Sequence, residues 1–92
     1  MSSLPKISVI GAGNVGSSAA YRALELNLAD VVLLDIVDGL PQGKALDMTQ
    51  MMSVTGSSSR IIGTTDYSDT KDSDIVIVTS GFSKKTKFVF AV

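Results

Sequence analysis

Residues 7–16 read Ile7-Ser8-Val9-Ile10-Gly11-Ala12-Gly13-Asn14-Val15-Gly16. Lys6–Ile10 is a short run rich in β-branched residues, ended by Gly11, and it predicts a buried strand. From Asn14 to about Leu26 there is no breaker, and Val15, Ala19, Ala23 and Leu26 recur at helical spacing. Asn27 is a natural stop. A second apolar run, Val31-Val32-Leu33-Leu34, follows and is closed by Asp35. The stretch is therefore strand, glycine turn, helix, strand, acid.

That order gives each glycine of G-x-G-x-x-G a physical task. Gly11 allows the tight turn from strand to helix, Gly13 leaves room for a pyrophosphate, and Gly16 lets the helix pack closely on the strand. The helix N-terminus, with its free N–H groups and dipole, favours an anion there. A bare motif is often only a glycine-rich turn. Here a strand precedes it, a helix follows, and Asp35 stands nineteen residues beyond Gly16. Together these predict a dinucleotide site formed by Gly11, Ala12, Gly13, Asn14, Val15, Gly16 and Asp35. A carboxylate at Asp35 can accept hydrogen bonds from both ribose hydroxyls and repels a 2′-phosphate. Ile36, Val37 and Asp38 come next, with no Arg or Lys, so NAD is expected rather than NADP.

The remaining chain repeats the alternation. Asp38-Gly39-Leu40-Pro41 predicts a turn and a helix start, with Pro41 at the first helical position. Gly43 to Met52 continues it, with Leu46, Met48, Met51 and Met52 as a mostly apolar face. Thr55–Ser59 reads as a loop, Arg60–Gly63 as a third strand, Asp66–Ser73 as one short helical turn, and Asp74–Thr79 as a fourth strand. Strands one, two and four are almost wholly apolar, as strands covered on both faces are. The expected fold is α/β, a Rossmann-type doubly wound parallel sheet of about four strands in the order 3-2-1-4. Ligands of such sheets lie beyond the carboxyl ends of the strands, which adds Thr79, Ser80 and Gly81 to the cofactor-binding set.

Composition narrows the chemistry. The 92 residues carry a net charge of −1, so no basic field recruits nucleic acid. There is no cysteine, which excludes disulfides and thiolate chemistry, and no histidine, the commonest acid/base near neutral pH. No apolar run approaches the roughly 18 residues of a membrane helix. No metal site and no catalytic side chain is assigned.

With these residues in place the sequence resembles the malate dehydrogenases of the lactate-dehydrogenase-like group. The resemblance rests on Gly11–Gly16, on Val32–Ile36, on the segment Gly39-Leu40-Pro41-Gln42-Gly43-Lys44-Ala45-Leu46-Asp47, and on Asp72–Gly81. The third segment is the most specific. The resemblance implies a cytoplasmic homo-oligomeric enzyme that binds NAD(H) and interconverts malate and oxaloacetate. It makes Gly11–Gly16 the glycine loop, Asp35 the ribose-binding acid and Thr79–Gly81 the nicotinamide-side segment. A lactate dehydrogenase and a non-catalytic nucleotide-sensing module are the alternatives.

The pattern breaks after Gly81. The family places two arginines in the next stretch, where this chain reads Phe82-Ser83-Lys84-Lys85-Thr86-Lys87. Lys84 falls at the first arginine and is the candidate substrate-binding residue, with the charge but not the planar fork. The family pattern is lost abruptly at Thr86, as a shifted reading frame would produce. The expected division is an incomplete NAD-binding domain over 1–81 and a divergent basic and apolar tail over 82–92, inactive by itself. The fourth strand is expected to form an open sheet edge prone to self-association. Phe88–Val92 is a β-prone end suited to packing on the sheet or to aggregating.

Overall fold

The computed structural model describes residues 4–79 and the backbone of 88–91. In chain order the elements are β1 (Lys6–Ile10), α1 (Asn14–Glu25), β2 (Asp30–Leu34), α2 (Leu40–Thr55), β3 (Ile61–Thr64), a single 3-10 turn (Tyr67–Thr70), β4 (Ile75–Val78) and β5 (Phe88–Ala91). They form one sheet in the order β3-β2-β1-β4-β5. The first four strands are parallel and follow the expected 3-2-1-4 order.

β5 corrects the expectation that β4 is the edge of the sheet, and becomes that edge itself. It runs antiparallel to β4, with Ile75 opposite Ala91 and Val78 opposite Phe88. The chain's own tail thus takes up the outer hydrogen bonds of β4, which an apolar edge strand would otherwise offer to another molecule.

Register assigns the faces. Ile7 lies beside Val31 and Ile75, and Val9 beside Leu33 and Ile77. Val9, Val31, Leu33 and Ile61 bury one face against Ala20, Ala23 and Leu24 of α1 and Ala45, Met48 and Met52 of α2. Both helices therefore cover the same side, as right-handed crossovers between strands added in one direction require. On the other side, the buried Ser8 hydroxyl meets that of Ser73 at 2.5 Å. Ser73 gives its one hydrogen to the Thr70 carbonyl, so Ser8 is the donor to Ser73.

The helix faces differ in detail from the periodicity. In α1 the buried residues are Gly16, Ala20, Ala23 and Leu24, while Val15 and Leu26 are half exposed. The apolar stripe sits one position further along, because Gly16 rather than Val15 must face β1. In α2, Met48 and Met52 are buried but Leu46 and Met51 face outward. Pro41 is the second helical residue, after Gly39 at φ 85° and Leu40. α2 also runs on to Thr55, into the expected loop, and ends on Gly56 at φ 77°.

Gly63 explains how α2 seats on β3, since a Cβ there would run into the Pro41 carbonyl and the Gln42 nitrogen. Asn27 ends α1 as expected. It adopts φ 55°, and the N–H groups of Asn27 and Leu28 donate to the carbonyls of Leu24 and Ala23. These are the two bonds of a left-handed helix stop.

Candidate functional site

Ile10 is in register with Leu34 on one side and Val78 on the other. The residues that follow these three, Gly11, Asp35 and Thr79, therefore emerge together at the carboxyl end of the sheet. Positions far apart in sequence meet here because parallel strands end at the same level. The Gly11 N–H donates to the Leu34 carbonyl at 2.7 Å and the Thr79 N–H to the Ile10 carbonyl at 2.8 Å.

The chain turns out of β1 at Gly11 with φ 113°, a conformation open to glycine and strained for other residues. α1 then crosses back so closely that a Cβ on Gly16 would collide with the Gly11 carbonyl and lie 2.8 Å from the Thr79 hydroxyl. Gly13 is the opposite case. It is exposed, and a Cβ there would meet nothing within 4 Å. Gly13 is also the N-cap of α1 and supplies no side-chain acceptor, so among the described residues no side chain caps the first-turn N–H groups. The result is an open space bordered by N–H donors at the positive end of a helix dipole.

Asp35 borders the same space. Its Oδ2 accepts from the Ala12 N–H at 2.8 Å and its Oδ1 from the Val37 N–H at 3.1 Å. Partial desolvation pushes its pKa up, but the N–H groups of Ala12, Val37 and Ile36 together outweigh this and hold the carboxyl below its ordinary value. It is a carboxylate at neutral pH, with lone pairs left for further donors. Ile36 and Val37 beside it are exposed, and no cationic side chain follows them before Lys44.

Thr79 directs its hydroxyl hydrogen to the protein. Its hydroxyl lies 3.3 Å from the Ile10 carbonyl and 3.2 Å from the Gly11 carbonyl, tying the end of β4 to the loop. Sequence reasoning missed Ser17, whose hydroxyl donates to the Ala12 carbonyl at 2.9 Å. No motif marks a helical serine as a loop tether. Ser80, Gly81 and Lys84 lie outside the described residues. A groove of about 540 Å³ lies on the side of the sheet opposite the helices, among Lys6, Asp30, Val32, Arg60 and Ile62. It shares no residue with the loop. Among the described residues, no helix is long and apolar enough to cross a membrane.

Comparison with known proteins places this geometry. The family described as lactate/malate dehydrogenase, NAD binding domain, matches residues 5–86. A malate dehydrogenase of Dehalococcoides mccartyi is 55% identical over 82 residues, which are 89% of this chain and 27% of that protein. The lactate dehydrogenase of Cryptosporidium parvum, solved with lactic acid and nicotinamide adenine dinucleotide, superposes with a TM-score of 0.83 at 54% identity. It covers 87% of this chain and 25% of its own. The malate dehydrogenase of the same organism gives 0.83 at 45% identity, over 85% and 25% of the two chains. The chain belongs to the lactate/malate dehydrogenase family, as its NAD-binding domain. It spans about a quarter of the length of the curated relatives it matches.

Proposed function

We propose that this chain grips NAD at the carboxyl ends of β1, β2 and β4, as the cofactor-holding part of a cytoplasmic, homo-oligomeric dehydrogenase. The reaction is the reversible oxidation of malate to oxaloacetate. The observation that carries the reading is the adjacency of Asp35 to the glycine loop. Its carboxylate lies 2.8 Å from the Ala12 nitrogen, so an acid suited to a ribose diol and donors suited to a pyrophosphate border one space.

In this reading Asp35 accepts from the ribose hydroxyls, the N–H groups from Gly13 onward face the pyrophosphate, and Ser80 and Gly81 line the nicotinamide side. Lys84 meets the substrate carboxylate. Bound NAD supplies the hydride acceptor. The 92 residues hold no histidine, so they are assigned cofactor binding and not proton transfer. The cofactor-binding part is proposed to end at residue 81, and the strand Phe88–Ala91 beyond it belongs to the same sheet.

A second reading, lactate as substrate, is supported by the 54% identity to the Cryptosporidium lactate dehydrogenase, close to the value for the malate dehydrogenases. The cofactor half alone carries both.

Titration with NAD and NADP tests the proposal. NAD is expected to bind at least about tenfold more tightly, because a 2′-phosphate meets the Asp35 carboxylate with no compensating cation. Equal affinities would overturn it.

A further inference from the structure

The hydrogen bonds of the glycine loop can be followed peptide by peptide. In a trans peptide the carbonyl of one residue and the N–H of the next point in opposite directions. Whatever holds a carbonyl therefore aims the following N–H. The Gly11–Ala12 peptide is held at both ends, the carbonyl by the Thr79 hydroxyl at 3.2 Å and the N–H by Asp35 at 2.8 Å. The Ala12–Gly13 peptide is held at one end only. Its carbonyl accepts from the Ser17 hydroxyl at 2.9 Å, and its N–H, on Gly13, has no partner among the described residues.

Ser17 is placed for this in an unusual way. A helical serine ordinarily bonds the carbonyl three or four residues back, within its own helix. Ser17 reaches five residues back, to Ala12 in the loop, while its own N–H donates to the Gly13 carbonyl at 2.9 Å. Both bonds turn carbonyl oxygens toward α1 and away from the open space at Gly13. Without the hydroxyl, the Ala12–Gly13 peptide is free to rotate, since glycine offers little steric resistance. Rotation presents a carbonyl oxygen to an anion in place of a donor.

We propose that Ser17 is a positioning residue for the cofactor: its hydroxyl holds the Ala12 carbonyl so that the Gly13 N–H faces the pyrophosphate. The proposal rests on the NAD reading given above. Ser17 acts through the loop and does not itself touch the ligand.

The test compares the full chain with Ser17→Ala and Ser17→Thr, using NAD and adenosine as probes. Alanine is the best helix former, so Ser17→Ala is expected to fold, with an unfolding midpoint lowered by no more than the loss of one neutral hydrogen bond. NAD should bind it about three- to tenfold more weakly, as for loss of one neutral hydrogen bond. Ser17→Thr should recover wild-type affinity to within about twofold. Adenosine, which has no pyrophosphate, should bind all three alike.

In the wild-type chain the Gly13 backbone amide resonance should move on addition of NAD, an observation independent of any variant. Wild-type affinity in Ser17→Ala, equal weakening of NAD and adenosine, or an unmoved Gly13 amide in a chain that binds NAD each overturns the role of Ser17 alone. No NAD binding by the wild-type chain overturns the cofactor reading and this proposal together.

Discussion

Asp35 shows how one side chain joins two parts of the site. It ends β2, yet its carboxylate is bonded into the loop that follows β1. Because its pKa in the fold is held below the ordinary value, ionised Asp35 contributes stability above the normal carboxylate range. That contribution is lost as pH falls through the lowered folded pKa. Asp35→Asn is therefore expected to be less stable than wild type in urea at pH 7, with the difference shrinking below about pH 4. A difference independent of pH would show that the charge is not what matters. The glycines make a second residue-scale test. Gly16→Ala forces a Cβ into the Gly11 carbonyl and is expected to destabilise by about 1–3 kcal/mol. Gly13→Ala meets nothing, at an ordinary φ of −73°, and is expected to stay within about 0.5 kcal/mol of wild type. It should nonetheless weaken NAD binding, because the new methyl group enters the space reserved for the pyrophosphate. Urea unfolding and NAD titration of the two variants should thus separate packing from binding.

Among the elements, β5 moves the edge of the sheet from β4 to a four-residue strand. β4 is apolar along its length, and with β1 on one side only it would present a bare hydrogen-bonding edge. The antiparallel strand Phe88–Ala91 occupies that edge. Removal of residues 86–92 is expected to expose it and to drive self-association, seen by light scattering as a mass that rises with concentration. Val89→Pro, which interrupts the ladder opposite Ile77 without shortening the chain, should act in the same direction. A concentration-independent monomer for both variants would show that β5 does not guard the edge. The helices make a different point. The end of α1 at Asn27 and the start of α2 at Gly39 and Pro41 were visible as local signals, whereas the end of α2 at Gly56 fell inside the expected loop. Which side the helices bury was not visible: Leu46 and Met51 are as apolar as Met48 and Met52, yet they face outward. Helical periodicity defines several overlapping stripes in an apolar segment, and only the strand beneath selects one.

At the scale of the whole 92-residue chain, composition bears on which chemistries these residues supply and locates nothing. A net charge of −1 and the lack of histidine and cysteine argue against nucleic acid recruitment, imidazole acid/base and thiolate catalysis, but place no residue. The glycine loop and the acid after β2 could be read from sequence because each depends on local backbone demands: β-branched runs for strands, positive φ at Gly11, a breaker-free helix; the order of the parallel strands followed from the right-handed crossover rule. The family match over residues 5–86 agrees with that reading. The tethers of the loop could not be read. Ser17, Thr79 and Asp35 converge on three consecutive residues only because β1, β2 and β4 end in register and α1 crosses back over Gly11. Nor could the partner of β4 be read, since an antiparallel return of the tail depends on which edge lies free once the sheet has formed. The sequence by itself determined the type of fold and the kind of ligand, because both are written in short-range steric and hydrogen-bonding rules. Tertiary structure alone decided which N–H groups are consumed and which remain for the ligand, because a hydrogen bond between distant segments exists only after packing has set their distance.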